Sequence, residues 1–206
     1  MLALVPPLPT AWTSEWQILK DGQPVGTARE TWRLAADGSG TTRFVQTSPG
    51  AEGSPGRSAD RQATLGPGGV PRHEEVVVTA PTGRTRYAAD LGPKLATLRV
   101  TAATGRATYE LNAPAGLSRG ALTPAAVERL ARTGTPVRLA VFETVKARWS
   151  VVRVTPGKRM GKDTLIRLVD DAGVQSDYAF DATYRARIVQ FSTGYRFVRT
   201  TMHEGS

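Results

Sequence analysis

A repeated segment constrains the fold of this chain more than any other feature of its sequence. Residues 78–87 read VTAPTGRTRY, and a close copy, VTAATGRATY, returns at residues 100–109. Each copy has the pattern of a strand, a tight turn and a second strand, and its Thr-Gly pair offers a residue that tolerates the positive φ of a hairpin turn. Two such hairpins in succession predict an antiparallel meander.

The rest of the sequence continues this pattern. Short stretches with alternating apolar and polar residues are separated by turn residues such as Asp-Gly, Pro-Gly and Thr-Gly, which indicates about a dozen strands. A sheet of so many twisted strands tends to curl or close. We therefore expect an all-β fold, an antiparallel meander curled into a half-barrel or open barrel. A closed barrel and a two-sheet sandwich are the alternatives.

One helix interrupts the strands. Residues 124–132 read PAAVERLAR, with Thr123 in front of them and Gly134 shortly after. Threonine is a good N-cap, proline suits the first helical position, and glycine commonly follows the last turn. We expect this short helix to lie at one end of the curved sheet.

The sequence divides into a short tail and one domain. Residues 1–11, MLALVPPLPTA, are an apolar N-terminal tail or the remnant of a secretory signal, and residues 12–206 are expected to form a single β domain. Residues 48–58 hold three glycines and two prolines, which predicts a long hairpin tip or a mobile flap. No apolar stretch approaches the roughly 20 residues of a membrane span. The signal-like tail favours the periplasm or cell envelope, and the cytoplasm is the alternative.

The chain is basic, and its charge is uneven. Lys and Arg number 27 against 18 Asp and Glu, and residues 117–206 hold 15 of the basic residues but 8 of the acidic ones. Alternation along strands splits the basic side chains between faces, so we expect charge dispersed over the convex surface and weak polyanion binding. Nucleic acid is not the expected partner. The basic residues concerned are Arg138, Arg148, Arg153, Lys158, Arg159, Lys162, Arg167, Arg185, Arg187, Arg196 and Arg199.

Catalytic and metal-binding patterns are weak in this sequence. It has no cysteine and two histidines, both in strand-like stretches, so neither a thiolate nucleophile nor a zinc-ligand motif is present. The adjacent carboxylates Glu74-Glu75 do not converge, because neighbours on a strand face opposite ways, and Asp170-Asp171 sits at a predicted turn. We expect a protein that is not an enzyme, with no catalytic residues, no cofactor and no metal.

Three segments carry a family resemblance. They are the opening GQPVGTARETW at 22–32, the Leu-Thr-Pro at 122–124 that begins the helix, and YAFDATYRARIV at 178–189. In their order they resemble exported bacterial half-barrel proteins of unknown function, which share the fold of the lipoprotein-localisation carrier and receptor. The resemblance covers most of the chain at the level of pattern. It implies a half-barrel with a concave face in a cell-envelope protein.

The aromatic residues suggest a use for that concave face. They are spread over most of the predicted strands, and on a curved sheet some of them must point inward. We expect a non-enzymatic cell-envelope protein that binds an apolar ligand, a lipid or acyl chain, in the concave face. The alternative is a scaffold or protein-interaction module with a filled core and no small-molecule ligand. The residues expected to bind the ligand are Trp32, Phe44, Tyr109, Phe142, Trp149, Tyr178 and Phe180.

Overall fold

One curved sheet of fifteen strands dominates the computed structural model, which describes residues 11–49, 56–157 and 161–205. The predicted tail up to residue 10, the centre of the predicted loop (50–55), and Lys158 and Arg159 lie outside the described residues. The strands are β1 (Ala11–Lys20), β2 (Gln23–Leu34), β3 (Gly40–Ser48), β4 (Arg57–Gly66), β5 (Val70–Ala80), β6 (Gly83–Leu91), β7 (Leu95–Ala102), β8 (Gly105–Asn112), β9 (Ser118–Arg119), β10 (Val137–Glu143), β11 (Arg148–Pro156), β12 (Thr164–Val169), β13 (Gln175–Phe180), β14 (Ala186–Phe191) and β15 (Tyr195–Glu204).

The order of the strands confirms the predicted meander. Across the sheet it runs β8 to β1 in steps of one, then β15 to β9 in steps of one, so that β1 and β15 are neighbours near the middle. Every pairing is antiparallel except that of β10 with the two-residue β9, which is parallel and was not predicted. A single continuous ladder excludes a two-sheet sandwich. Among the described residues no backbone ladder joins β8 to β9 or β10, so the barrel is open.

The two repeated hairpins are β5–β6 and β7–β8. Ala80 lies opposite Gly83 in the first, and Ala102 lies opposite Gly105 in the second, so each loop has two residues. Both glycines have positive φ, +128° and +143°, as the Thr-Gly signature predicts. The prediction placed these glycines within the turns, whereas Gly83 and Gly105 are the first residues of β6 and β8.

The predicted helix is confirmed as α1 (Pro124–Thr133). The Thr123 hydroxyl accepts a hydrogen bond from the backbone N–H of Ala126 at 3.3 Å. At the other end Gly134 has φ +64° and donates its N–H to the carbonyl of Leu130 at 3.0 Å. Val127 is 0% exposed, and with Leu130 it packs against apolar side chains of β11, β12 and β13. The helix therefore depends on the sheet for its burial.

The two ends of the sheet meet through side chains. The rings of Phe142 (β10) and Trp149 (β11) lie 5.1 Å apart, edge to face, and both pack with a buried cluster from β6 and β7. The Trp149 indole donates a hydrogen bond to the carbonyl of Leu111 in β8 at 3.1 Å. The Arg119 guanidinium donates to the carbonyl of Leu91 at 3.1 Å. We call this contact of β10 and β11 with β6–β8 the seam.

Candidate functional site

The concave face of the sheet encloses a cavity of about 530 Å³. This volume falls within the range of roughly 300–1,000 Å³ that is typical of small-molecule sites. Side chains from β1–β5 and β10–β15 line it, together with the segment that leads into α1. Most of them are aliphatic or aromatic. The aromatic lining residues are Trp12, Trp16, Trp32, Phe44, Tyr178, Phe180, Tyr184, Phe191 and Phe197.

Strand alternation puts this apolar surface inside. On β1, the alternate residues Trp12, Ser14, Trp16 and Ile18 are all buried, because successive side chains point to opposite faces of a sheet. Trp12 lies directly opposite Trp32 of β2 in the ladder. Their rings stack with centroids 5.4 Å apart and planes 7° from parallel. The stacked pair forms one wall of the cavity.

The structure brings together four of the seven residues expected at the ligand site. Trp32, Phe44, Tyr178 and Phe180 line the cavity. The other three lie outside the cavity. They were predicted to line it because strand alternation does not reveal which parts of a sheet cover one another. Phe142 and Trp149 belong to the seam, and Tyr109 is 47% exposed on the edge strand β8.

Two of the polar lining groups neutralise each other. The carboxylate of Glu74, which is buried, accepts a hydrogen bond at Oε2 from Arg61 Nη2 at 3.1 Å. Arg61 Nε lies 2.6 Å from Glu74 Oε1, so the two groups form a close ion pair. The pair therefore adds little net charge to the cavity.

Glu30 is the other carboxyl group that lines the cavity. Burial raises its pKa above the ordinary value, and the nearby Trp32 indole and the charge of Arg199 offset this only in part. Tyr178 faces the same space, and burial is the main cause that raises the pKa of its hydroxyl. The environment thus favours the neutral form of both groups.

Arg185 is a cavity-lining cation that sequence reasoning placed wrongly. The sequence predicts it on the convex surface, but its side chain is 1% exposed and lines the cavity. Its Nη1 donates to Glu204 Oε1 at 2.8 Å, and the guanidinium lies over the Trp12 ring, 4.9 Å from the centroid. The Nε and Nη2 atoms are buried without a hydrogen-bond partner among the described residues.

A tight turn explains why the prediction for Arg185 failed. Asp181 Oδ1 accepts hydrogen bonds from the backbone N–H groups of Thr183 at 2.8 Å and of Arg185 at 3.2 Å. Tyr184 takes a left-handed conformation with φ +58°. Arg185 therefore belongs to the turn and not to β14, and strand alternation does not govern its direction. The Asp-Ala-Thr-Tyr turn signature at 181–184 was the available signal.

A second ion pair lies beside this turn. Arg199 of β15 donates a hydrogen bond to Asp181 Oδ2, and both side chains are largely buried. Burial acts to raise the pKa of Asp181, but hydrogen bonds from Thr183 and Arg199 outweigh it, and the pKa lies below its ordinary value. Asp181 thus remains charged and holds both the turn and Arg199 in place.

Several of the remaining basic side chains pair with carboxylates on the exposed surface. These pairs include Arg43–Asp60, Arg86–Glu75, Arg99–Asp90, Arg167–Asp177 and Arg187–Asp163.

No group of three or more His, Cys, Asp or Glu residues in the described ranges is arranged to hold a metal ion. No helix in those ranges has the length and apolar character needed to cross a bilayer.

Comparison with known proteins gives a likeness of fold. No family model and no curated protein sequence matches the chain. Among solved structures, it is similar to the crystal structure of a beta-barrel-like protein of domain of unknown function DUF1849 from Brucella abortus. The TM-score is 0.64 at 14% sequence identity, over 96% of this chain and 99% of that one. The similarity extends across the sheet and shows a shared barrel-like fold.

Proposed function

We propose that this protein is a non-enzymatic, periplasmic or cell-envelope protein that binds a lipid or acyl chain in its interior cavity. The observation that carries the proposal is the cavity of about 530 Å³ lined mainly by aliphatic and aromatic side chains. Transfer of an apolar chain from water into such a space is favourable, because it removes apolar surface of both ligand and protein from water.

The cavity favours ligand binding over a scaffold role. A scaffold needs a filled core, and the apolar side chains that would fill it here surround open space. The proposal of a non-enzymatic role rests on the sequence, in which no arrangement of acid, base and nucleophile is recognisable. The resemblance of the sequence to exported half-barrel proteins supports the location.

A binding assay tests this proposal. We expect lipid to accompany the protein purified from its own host in native mass spectrometry, and Nile red to bind it saturably. Thr42 lines the cavity, whereas Thr108 is exposed on β8. Thr42→Phe should fill part of the cavity and weaken Nile red binding, and the matched control Thr108→Phe should not. Absence of both bound lipid and saturable dye binding contradicts the proposal.

A further inference from the structure

Arg185 is a buried cation whose hydrogen bonds are incomplete. A guanidinium carries five N–H donors, and a charge taken out of water is costly unless it is paired and hydrogen-bonded. Nη1 binds Glu204, a carboxylate that is 55% exposed, and approaches the Met202 sulfur at 3.3 Å. Nε and Nη2 are buried and have no hydrogen-bond partner among the described residues.

The two unpartnered nitrogens are neighbours on one edge of the guanidinium. Their N–H groups point in nearly the same direction, which is the geometry that binds the two oxygens of a carboxylate side by side. The opposite edge is held by Glu204, and the face lies over Trp12. The side chain is thus fixed with a single two-donor edge left to bind an acceptor.

The other charged groups of the cavity do not compete for this edge. Glu74 is engaged by Arg61. Asp181, which does not line the cavity, binds Arg199 and the backbone of its own turn. Glu30 lines the cavity, but its surroundings favour the neutral carboxyl group. Arg185 is paired with Glu204, which is not a lining residue, and the Nε–Nη2 edge of its guanidinium has no acceptor among the described residues.

From these observations we infer that Arg185 binds the carboxylate of a long-chain fatty acid, whose tail occupies the cavity. This inference rests on the proposed binding of an apolar ligand and adds the headgroup and the residue that recognises it. A single acyl chain suits a cavity of about 530 Å³. The Trp12–Trp32 stack beside Arg185 provides an apolar surface for the first carbons of the tail.

Three ligands with the same tail and different headgroups test the inference. Each of palmitate, hexadecanol and hexadecyl phosphate competes with the neutral dye Nile red for binding to the protein of 206 residues. All three are used below their critical micelle concentrations. We expect palmitate to bind about tenfold or more tightly than hexadecanol, because a hydrogen-bonded ion pair forms. Equal affinities would overturn the role of Arg185, and tighter binding of hexadecyl phosphate would overturn the choice of a carboxylate. Failure of all three to bind would instead contradict the proposed function itself.

Two variants assign the effect to one side chain. Arg185→Met should abolish the preference for palmitate over hexadecanol, while hexadecanol affinity stays unchanged. Arg185→Lys keeps the charge but loses the two-donor edge, so it should restore the preference only in part. Arg187→Met is the matched control, because Arg187 is exposed and pairs with Asp163 at 3.2 Å, and it should leave the preference intact. A preference that survives in Arg185→Met refutes the inference, and the wild-type comparison remains decisive if that variant does not fold.

Discussion

Replacement of Phe142 by alanine tests whether the seam stabilises the fold. The side chain is 4% exposed and packs both with Trp149 and with the buried cluster of β6 and β7. Removal of a buried phenylalanine costs about 3–5 kcal/mol, of which the edge-to-face contact with Trp149 accounts for about 1 kcal/mol. With an m-value of about 2 kcal/mol/M, the urea midpoint should fall by about 2 M.

Urea unfolding followed by tryptophan fluorescence measures this change. The control is Val145→Ala, since Val145 belongs to the turn between β10 and β11 but is 49% exposed, and its midpoint should barely move. A loss below about 1 kcal/mol in Phe142→Ala would refute a packed seam. If Nile red binding were lost in a folded Phe142→Ala variant, Phe142 would act in ligand binding, as the sequence alone suggested.

Three further changes test local interactions. Thr123→Ala removes the N-cap of α1 and should cost about 1 kcal/mol in urea unfolding, whereas Thr123→Ser should cost much less. The raised pKa of Glu30 means that the folded state loses stability as pH rises from the ordinary value of 4.5 through the folded value. The melting temperature of Glu30→Gln relative to wild type should therefore increase with pH, and a constant difference would contradict the raised pKa of Glu30. The lowered pKa of Asp181 has the opposite sign, because its contribution is complete above the ordinary value of 3.8 and is lost as pH falls through the folded value. Asp181→Asn should cost about 2 kcal/mol at neutral pH, the value of a hydrogen bond to a charged group, and progressively less in acid. A cost independent of pH would argue against the pair with Arg199.

Local rules were enough to predict the helix and the repeated hairpins. The cap at Thr123, the glycine after the last turn and the paired Thr-Gly turns act within a few residues, so the sequence around them specifies the outcome. Alternation likewise separates the inward face of β1 from its outward face. These features depend on neighbours in the sequence, and for that reason they can be read from it.

Features set by distant parts of the chain could not be predicted in this way. Phe142 and Trp149 are covered by β6 and β7, and their place in the seam follows from how far the sheet curls. The misplacement of Arg185 has a local cause instead: the left-handed Tyr184 and a register shift between Ala179 and Phe180 interrupt the alternation. A sequence pattern shows that side chains alternate along a strand, but the geometry of the preceding turn decides which of them face inward.

The pairing of β1 with β15 has a consequence for how the chain reaches its native state. Of the described strands, β1 is synthesised first and β15 last, and the two pair with partners as distant as Trp12 and Glu204. The entropy of closing so long a loop must be overcome before this ladder forms. Until β15 is available, one edge of β1 stays unpaired beside the apolar side chains of Trp16 and Ile18. During synthesis this edge of β1 is therefore open to pairing with other chains.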